Sequence, residues 1–278
     1  MKQIKVLFSL IILLTAFYSC KKEKVLIDTA AINEIIIVET VYADISEQIE
    51  THIYTAQDII FGTHKTAKSQ LKSSCATLSI LPLDSVSWPK TITIDYGSSD
   101  CLGEDGRYRK GKIMINTTGR YNDSTTVLTV TFDNYYLNND KIAGSVIITN
   151  RGINNQNFPL YTILVNNGSI ETDEGIISWQ SNTTKKWVNG LTTPYPLIND
   201  DTFIHAGKTQ GTFTDGSAFN ADIINLLVTN TYCPWIDSGT LEISKKEKVI
   251  GTLDFGDFTC DSLATITVDG VTSGVELK

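Results

Sequence analysis

Thr126-Val127-Leu128-Thr129-Val130-Thr131-Phe132-Asp133-Asn134 and Ile142-Ala143-Gly144-Ser145-Val146-Ile147-Ile148-Thr149-Asn150 are two runs rich in β-branched residues, with Asn138-Asn139-Asp140 between them. Thr, Val and Ile suit a pleated surface, and alternation along each run gives it one apolar face. Asn and Asp accept positive φ, so the triplet between them reads as a tight turn and the whole as a β-hairpin.

The same pattern recurs on both sides of this hairpin. Strands are expected over Lys112–Tyr121, Leu160–Asn166, Gly175–Ser181, Phe203–Phe213, Phe219–Val228, Leu241–Ser244, Val249–Phe255, Ala264–Val268 and Thr272–Leu277. Turns are expected at Asn166-Asn167-Gly168, Thr214-Asp215-Gly216 and Asp269-Gly270. Parallel pairing would need crossovers of a dozen or more residues, and none is present after residue 74. The chain is therefore expected to be mainly β, an antiparallel meander forming a curved sheet, a sandwich or a barrel.

Five cysteines are present, and Cys75, Cys101, Cys233 and Cys260 lie in this β region. Four cysteines allow three pairings, and an internal repeat selects one. Thr77-Leu78-Ser79-Ile80 and Thr93-Ile94-Asp95-Tyr96-Gly97, closing at Cys101, match Thr240-Leu241-Glu242-Ile243 and Thr252-Leu253-Asp254-Phe255-Gly256, closing at Cys260. Cys75 is thus expected to pair with Cys101 and Cys233 with Cys260, giving two disulfide-stapled repeat units. No Cys-x-x-Cys or neighbouring His accompanies these residues, so no metal site is expected.

Upstream, Ile35, Val38, Tyr42, Ile45, Ile49, Ile53, Ala56 and Ile60 recur three or four residues apart, from a cap at Asp28 or Thr29 to Gly62. This predicts one N-terminal amphipathic α-helix over 28–62, its apolar stripe facing the core and Glu34, Glu39, Asp44, Glu47 and Glu50 on its polar face. Met1, Lys2 and Lys5, the apolar run Val6–Leu14 and Ser19-Cys20 have the layout of an export signal too short to span a membrane. The expected organisation is a signal peptide over 1–19, a lipidated tether over 20–27, the helix over 28–62, a loop over 63–74 and an all-β domain over 75–278. Loss of Lys2 and Lys5 takes the formal charge from −8 to −10, which excludes nucleic acid as an expected partner.

The lipobox at Cys20, the N-terminal helix, Thr93-Ile94-Asp95-Tyr96-Gly97, Gly111-Lys112-Ile113, Thr118-Gly119-Arg120-Tyr121, Phe132-Asp133-Asn134-Tyr135, Gly239-Thr240-Leu241 and the segment from Thr252 to Cys260 together resemble a group of uncharacterised lipoproteins of the Bacteroidota. The resemblance implies acyl chains such as palmitate on Cys20 and attachment to the outer membrane, on its periplasmic or cell-surface face, without implying an activity. It also implies candidate O-glycosylation where Asp precedes Ser or Thr, at Thr29, Ser85, Ser124 and Ser262.

Motifs that carry chemistry are absent: there is no His-Glu-x-x-His, Gly-x-Ser-x-Gly or phosphate loop, and His52, His64 and His205 are not grouped in the sequence. No cofactor is expected. Asp95 and Asp254, each before an aromatic residue and a Gly, read as turn acceptors rather than as a catalytic pair. Among the aromatics, Trp187 and Tyr195 lie in the least regular stretch and are the candidate ligand-binding residues. The expected function is a non-enzymatic binding or structural role in the envelope, recognising a glycan or a protein; the alternative is a glycan hydrolase with an unrecognised carboxylate pair.

Overall fold

A long helix is the axis of the structure, a computed structural model that describes residues 27–62, 76–193 and 200–277. Helix α1 (Thr29–Phe61) runs for 33 residues. Asp28 caps its start by accepting the Ala31 N–H at 3.1 Å. Gly62, at φ 63°, ends it in the left-handed conformation and returns its N–H to Asp58. Among the described residues no helix is long and apolar enough to cross a membrane.

Among the described residues, the strands form a single antiparallel sheet of fourteen strands. They are β1 (Thr77–Leu81), β2 (Lys90–Asp95), β3 (Cys101–Leu102), β4 (Tyr108–Thr117), β5 (Val127–Leu137), β6 (Asp140–Ile153), β7 (Pro159–Thr172), β8 (Gly175–Asn189), β9 (Thr202–Thr212), β10 (Ala218–Asn230), β11 (Ile236–Lys245), β12 (Lys248–Asp257), β13 (Leu263–Val268) and β14 (Val271–Glu276). Spatial order follows chain order throughout, with short β3 set aside on β4. The first and last strands are not neighbours, so the sheet is open rather than a closed barrel or a sandwich.

Side chains from strands across the sheet meet the helix. Tyr96, just past β2, donates to Gln48 at 2.6 Å, and Tyr135 of β5 donates to Asp44 at 3.0 Å. Tyr42 meets Thr183 of β8 at 3.0 Å, the β9–β10 turn donates from Thr214 to Glu34, and Lys245 of β11 reaches Asp28 at 3.0 Å. Apolar contacts fill the space between: Ile35, Ile45, Ile49 and Ile53 of α1 are buried with Ile94, Ile113, Val130, Ile148, Ile163, Ile177, Ile243 and Leu253 from across the sheet.

The Asn138-Asn139 and Asp269-Gly270 turns have positive φ at both central residues, the geometry that matches strand twist. Asn166-Asn167-Gly168 departs from expectation. It lies inside β7, where the ladder with β8 shifts register between Val165 and Gly168. Asn167 does adopt φ 50°, but as a bulge rather than a chain reversal, and a side chain on Gly168 would run into the Trp179 indole. β7 therefore continues to Thr172 instead of ending at Asn166, and β8 continues to Asn189 instead of Ser181.

Across β1 and β2, Thr77 pairs with Asp95 and Leu78 with Ile94; across β11 and β12, Thr240 pairs with Asp254 and Leu241 with Leu253. Asp95 and Asp254 each accept the N–H of the Gly two residues on, at 2.8 Å. The Cys233–Cys260 disulfide is formed. Cys101 is buried at the start of β3, whereas Cys75 and the 63–74 loop lie outside the described residues, so the first of the two stapled units is not seen whole.

Candidate functional site

The sheet does not close on every face of the helix. Glu39, Tyr42, Ala43, Ser46, Glu47 and Glu50 recur at spacings of three and four and so form one stripe of α1. Opposite it stand inward residues of β8 (Ser181, Thr183, Lys185), β9 (Phe203, His205, Thr209), β10 (Ile223, Leu227, Thr229) and β11 (Ile236, Leu241), with Cys233-Pro234-Trp235 as a roof. Between the two walls is a partly enclosed recess of about 100 Å³.

Its lower end is a polar knot. Lys185, 3 % exposed, forms an ion pair with Glu50 and donates to the Tyr121 hydroxyl at 3.0 Å. That hydroxyl in turn donates to Glu50 at 3.1 Å. The ammonium also lies 4.3 Å from the centre of the Phe203 ring. Burial pushes Lys185 down to about 7, and the Asp201 charge opposes that; the touching Glu50 carboxylate opposes it further. His205 bonds Thr229 at 2.9 Å through Nε2. Burial and then the Lys185 charge push it down to about 3, so it is neutral.

The upper end is different. Glu39 makes no hydrogen bond or ion pair with any described residue, and burial alone pushes its carboxyl up to about 7. The sign for stability follows. Between the unperturbed value of 4.5 and about 7, the folded protein holds a proton on Glu39 that the unfolded chain has lost, so this group's contribution to stability falls as pH rises through that window. Glu39→Gln is expected to remove this slope, read as the difference in urea midpoint between variant and parent at pH 5 and at pH 7. An unchanged difference would mean that Glu39 is solvated.

A second buried cluster, around Asp44, is closed. Asp44 pairs with Arg109 and accepts from Tyr135, and Arg107 lies 3.8 Å away. Asp105 takes the other side of Arg109 at 3.0 Å. This cluster ties β4 and β5 to the helix, and its Arg107 lines a small cavity beside the recess.

Of the residues nominated from sequence, Trp187 lies in β8 at 9 % exposure, its ring 5.9 Å from Phe203. It is on the inner face beyond Lys185 and is not part of the recess wall, so it offers no exposed aromatic surface. Tyr195 and Cys20 lie outside the described residues. Thr29, Ser85 and Ser124 are exposed and Ser262 is half-buried. Asp237 approaches both Cys233 and Cys260, but sulfurs joined in a disulfide carry no thiolate for a metal. Sequence reasoning placed Glu39, Glu47 and Glu50 together on one helix face but read that face as solvated; Lys185 and His205 it did not connect to them.

No protein-family model, no curated protein and no solved structure is significantly similar to this chain.

Proposed function

We propose that this protein is an exported lipoprotein, anchored to the outer membrane through acyl chains on Cys20, that binds a small ligand non-enzymatically in the recess between α1 and β8–β11. One observation carries the binding reading: a stripe of α1 that the sheet leaves uncovered faces an opposite wall of apolar and hydrogen-bonding side chains. Binding sites of this kind are concave, mostly apolar and furnished with a few placed polar groups. The export signal and a formed disulfide support the oxidising compartment. We also read the β1–β2 and β11–β12 hairpins as copies of one unit, each with its own disulfide.

Glycan hydrolysis fits less well. Two carboxyl groups must flank the scissile bond, whereas Glu39, Glu47 and Glu50 all stand on the α1 wall and the opposite wall presents Lys185 and His205.

The test is to isolate the mature protein gently from envelopes and compare its mass before and after denaturation. A small-molecule excess is expected in the parent and is expected to vanish in Ala43→Trp, which fills the recess. A parent with no excess, or an excess that survives Ala43→Trp in a folded variant, would overturn the assignment of the ligand to this recess. Replacement of Cys20 by Ala is expected to release the protein from membranes; a variant that stayed bound would sink the anchor assignment.

A further inference from the structure

Several polar groups of the recess are matched to one another. Glu50 has Lys185 and Tyr121, Tyr42 has Thr183, and His205 has Thr229. Glu39, in the same wall, has no hydrogen-bond or ion-pair partner among the described residues. Arg107 shares a small adjoining cavity with it. Arg107 is committed elsewhere, to Asp44 at 3.8 Å and Asp105 at 3.9 Å, with its guanidinium carbon 5.2 Å from the centre of the Trp235 ring.

A half-buried carboxylate without a partner is left poorly solvated unless a counter-charge enters with a ligand. Among the described lining residues, Glu39 adds a carboxylate to the Glu50–Lys185 pair, so the field inside favours a cation. The rings of Tyr42 and Trp235 stand in the same walls, and aromatic faces attract cations as well. Ile223, Leu227 and Leu241 supply an apolar surface on the sheet side.

We infer that the recess takes a small organic cation, an ammonium group on a short apolar body, with the ammonium against Glu39 near Trp235 and the body toward Leu227 and Leu241. The inference rests on the binding reading above and names the ligand class for that site. A dry cavity of roughly 150 Å³ holds a benzene-sized molecule, so a recess of about 100 Å³, open on one side, suits a chain of about six heavy atoms.

Three chain-matched probes separate the possibilities: hexylamine, hexanol and hexanoate, titrated calorimetrically at pH 8 into the oxidised mature protein and its Glu39→Gln variant. Hexylamine is expected to bind at least about tenfold more tightly than hexanol, with hexanoate weakest, and Glu39→Gln is expected to abolish that preference. Equal or tighter binding of hexanol or hexanoate by the parent would overturn the cation assignment while leaving the recess as a ligand site. No binding of any probe would overturn both. If Glu39→Gln failed to fold, the order of the three affinities in the parent would decide alone.

Discussion

Asp44→Ala is expected to destabilise the protein by about 3–5 kcal/mol, the cost of removing one partner from a buried ion pair. Asp44 is wholly buried, and so nearly are Arg109 and Arg107, at 3 % and 6 % exposure. Removing the carboxylate takes one of two counter-charges from each of two guanidinium groups and leaves the Tyr135 hydroxyl without its acceptor. Asp105 still holds Arg109, which keeps the loss within this range. Asp44→Asn, which restores an acceptor for Tyr135 but no charge, should lose less. Urea unfolding followed by far-ultraviolet circular dichroism measures both variants. A loss under about 1 kcal/mol for Asp44→Ala would mean that water reaches the cluster, since solvated ion pairs are worth no more than that.

Cys233→Ser with Cys260→Ser is the second large effect. The bridge closes a separation of 27 residues, and cross-linking a loop of that length removes unfolded-state entropy equivalent to about 3–4 kcal/mol. It also holds down Cys233-Pro234-Trp235, the roof of the recess. The double variant should therefore unfold at lower urea concentration and show easier quenching of tryptophan fluorescence by acrylamide, as Trp235 gains exposure. A stability change below about 1 kcal/mol would show that the hairpin pairing of β11 with β12 constrains this segment without the bridge.

The meander was legible because most of its strands separate their faces cleanly. In β5, Leu128 and Val130 are buried while Thr129 is exposed, and alternation of this kind fixes both strand and register. The second half of β8 hid for the opposite reason. Ser181, Thr183 and Lys185 point inward and Asn182, Thr184 and Lys186 point outward, so both faces are polar and the periodic signal vanishes where the interior itself is polar. The helix was legible from its apolar stripe and its capping residues, but not the destination of its acidic face. A solvated surface and a polar interior make the same pattern in one helix; only the arrival of Lys185 and Arg109 from distant strands and of Thr214 from the β9–β10 turn tells them apart. Asn167 was legible as a positive-φ residue, yet whether such a residue reverses the chain or bulges a strand depends on what pairs beyond it.

The bond between Asp28 and Lys245 also governs how the molecule bears force. Lys245 is held at once by Asp28 and Asp215, each at 3.0 Å, and Glu34, a turn and a half further along α1, is held by Thr214. A pull applied at the N-terminal end of α1 would enter the structure here, along the helix axis and into two turns of the sheet together. It would load these bonds in parallel, as shear, instead of peeling an edge strand one ladder bond at a time. The edge strands β1 and β14 carry none of these bonds, so a load on the start of α1 falls first on side-chain contacts rather than on the ladder.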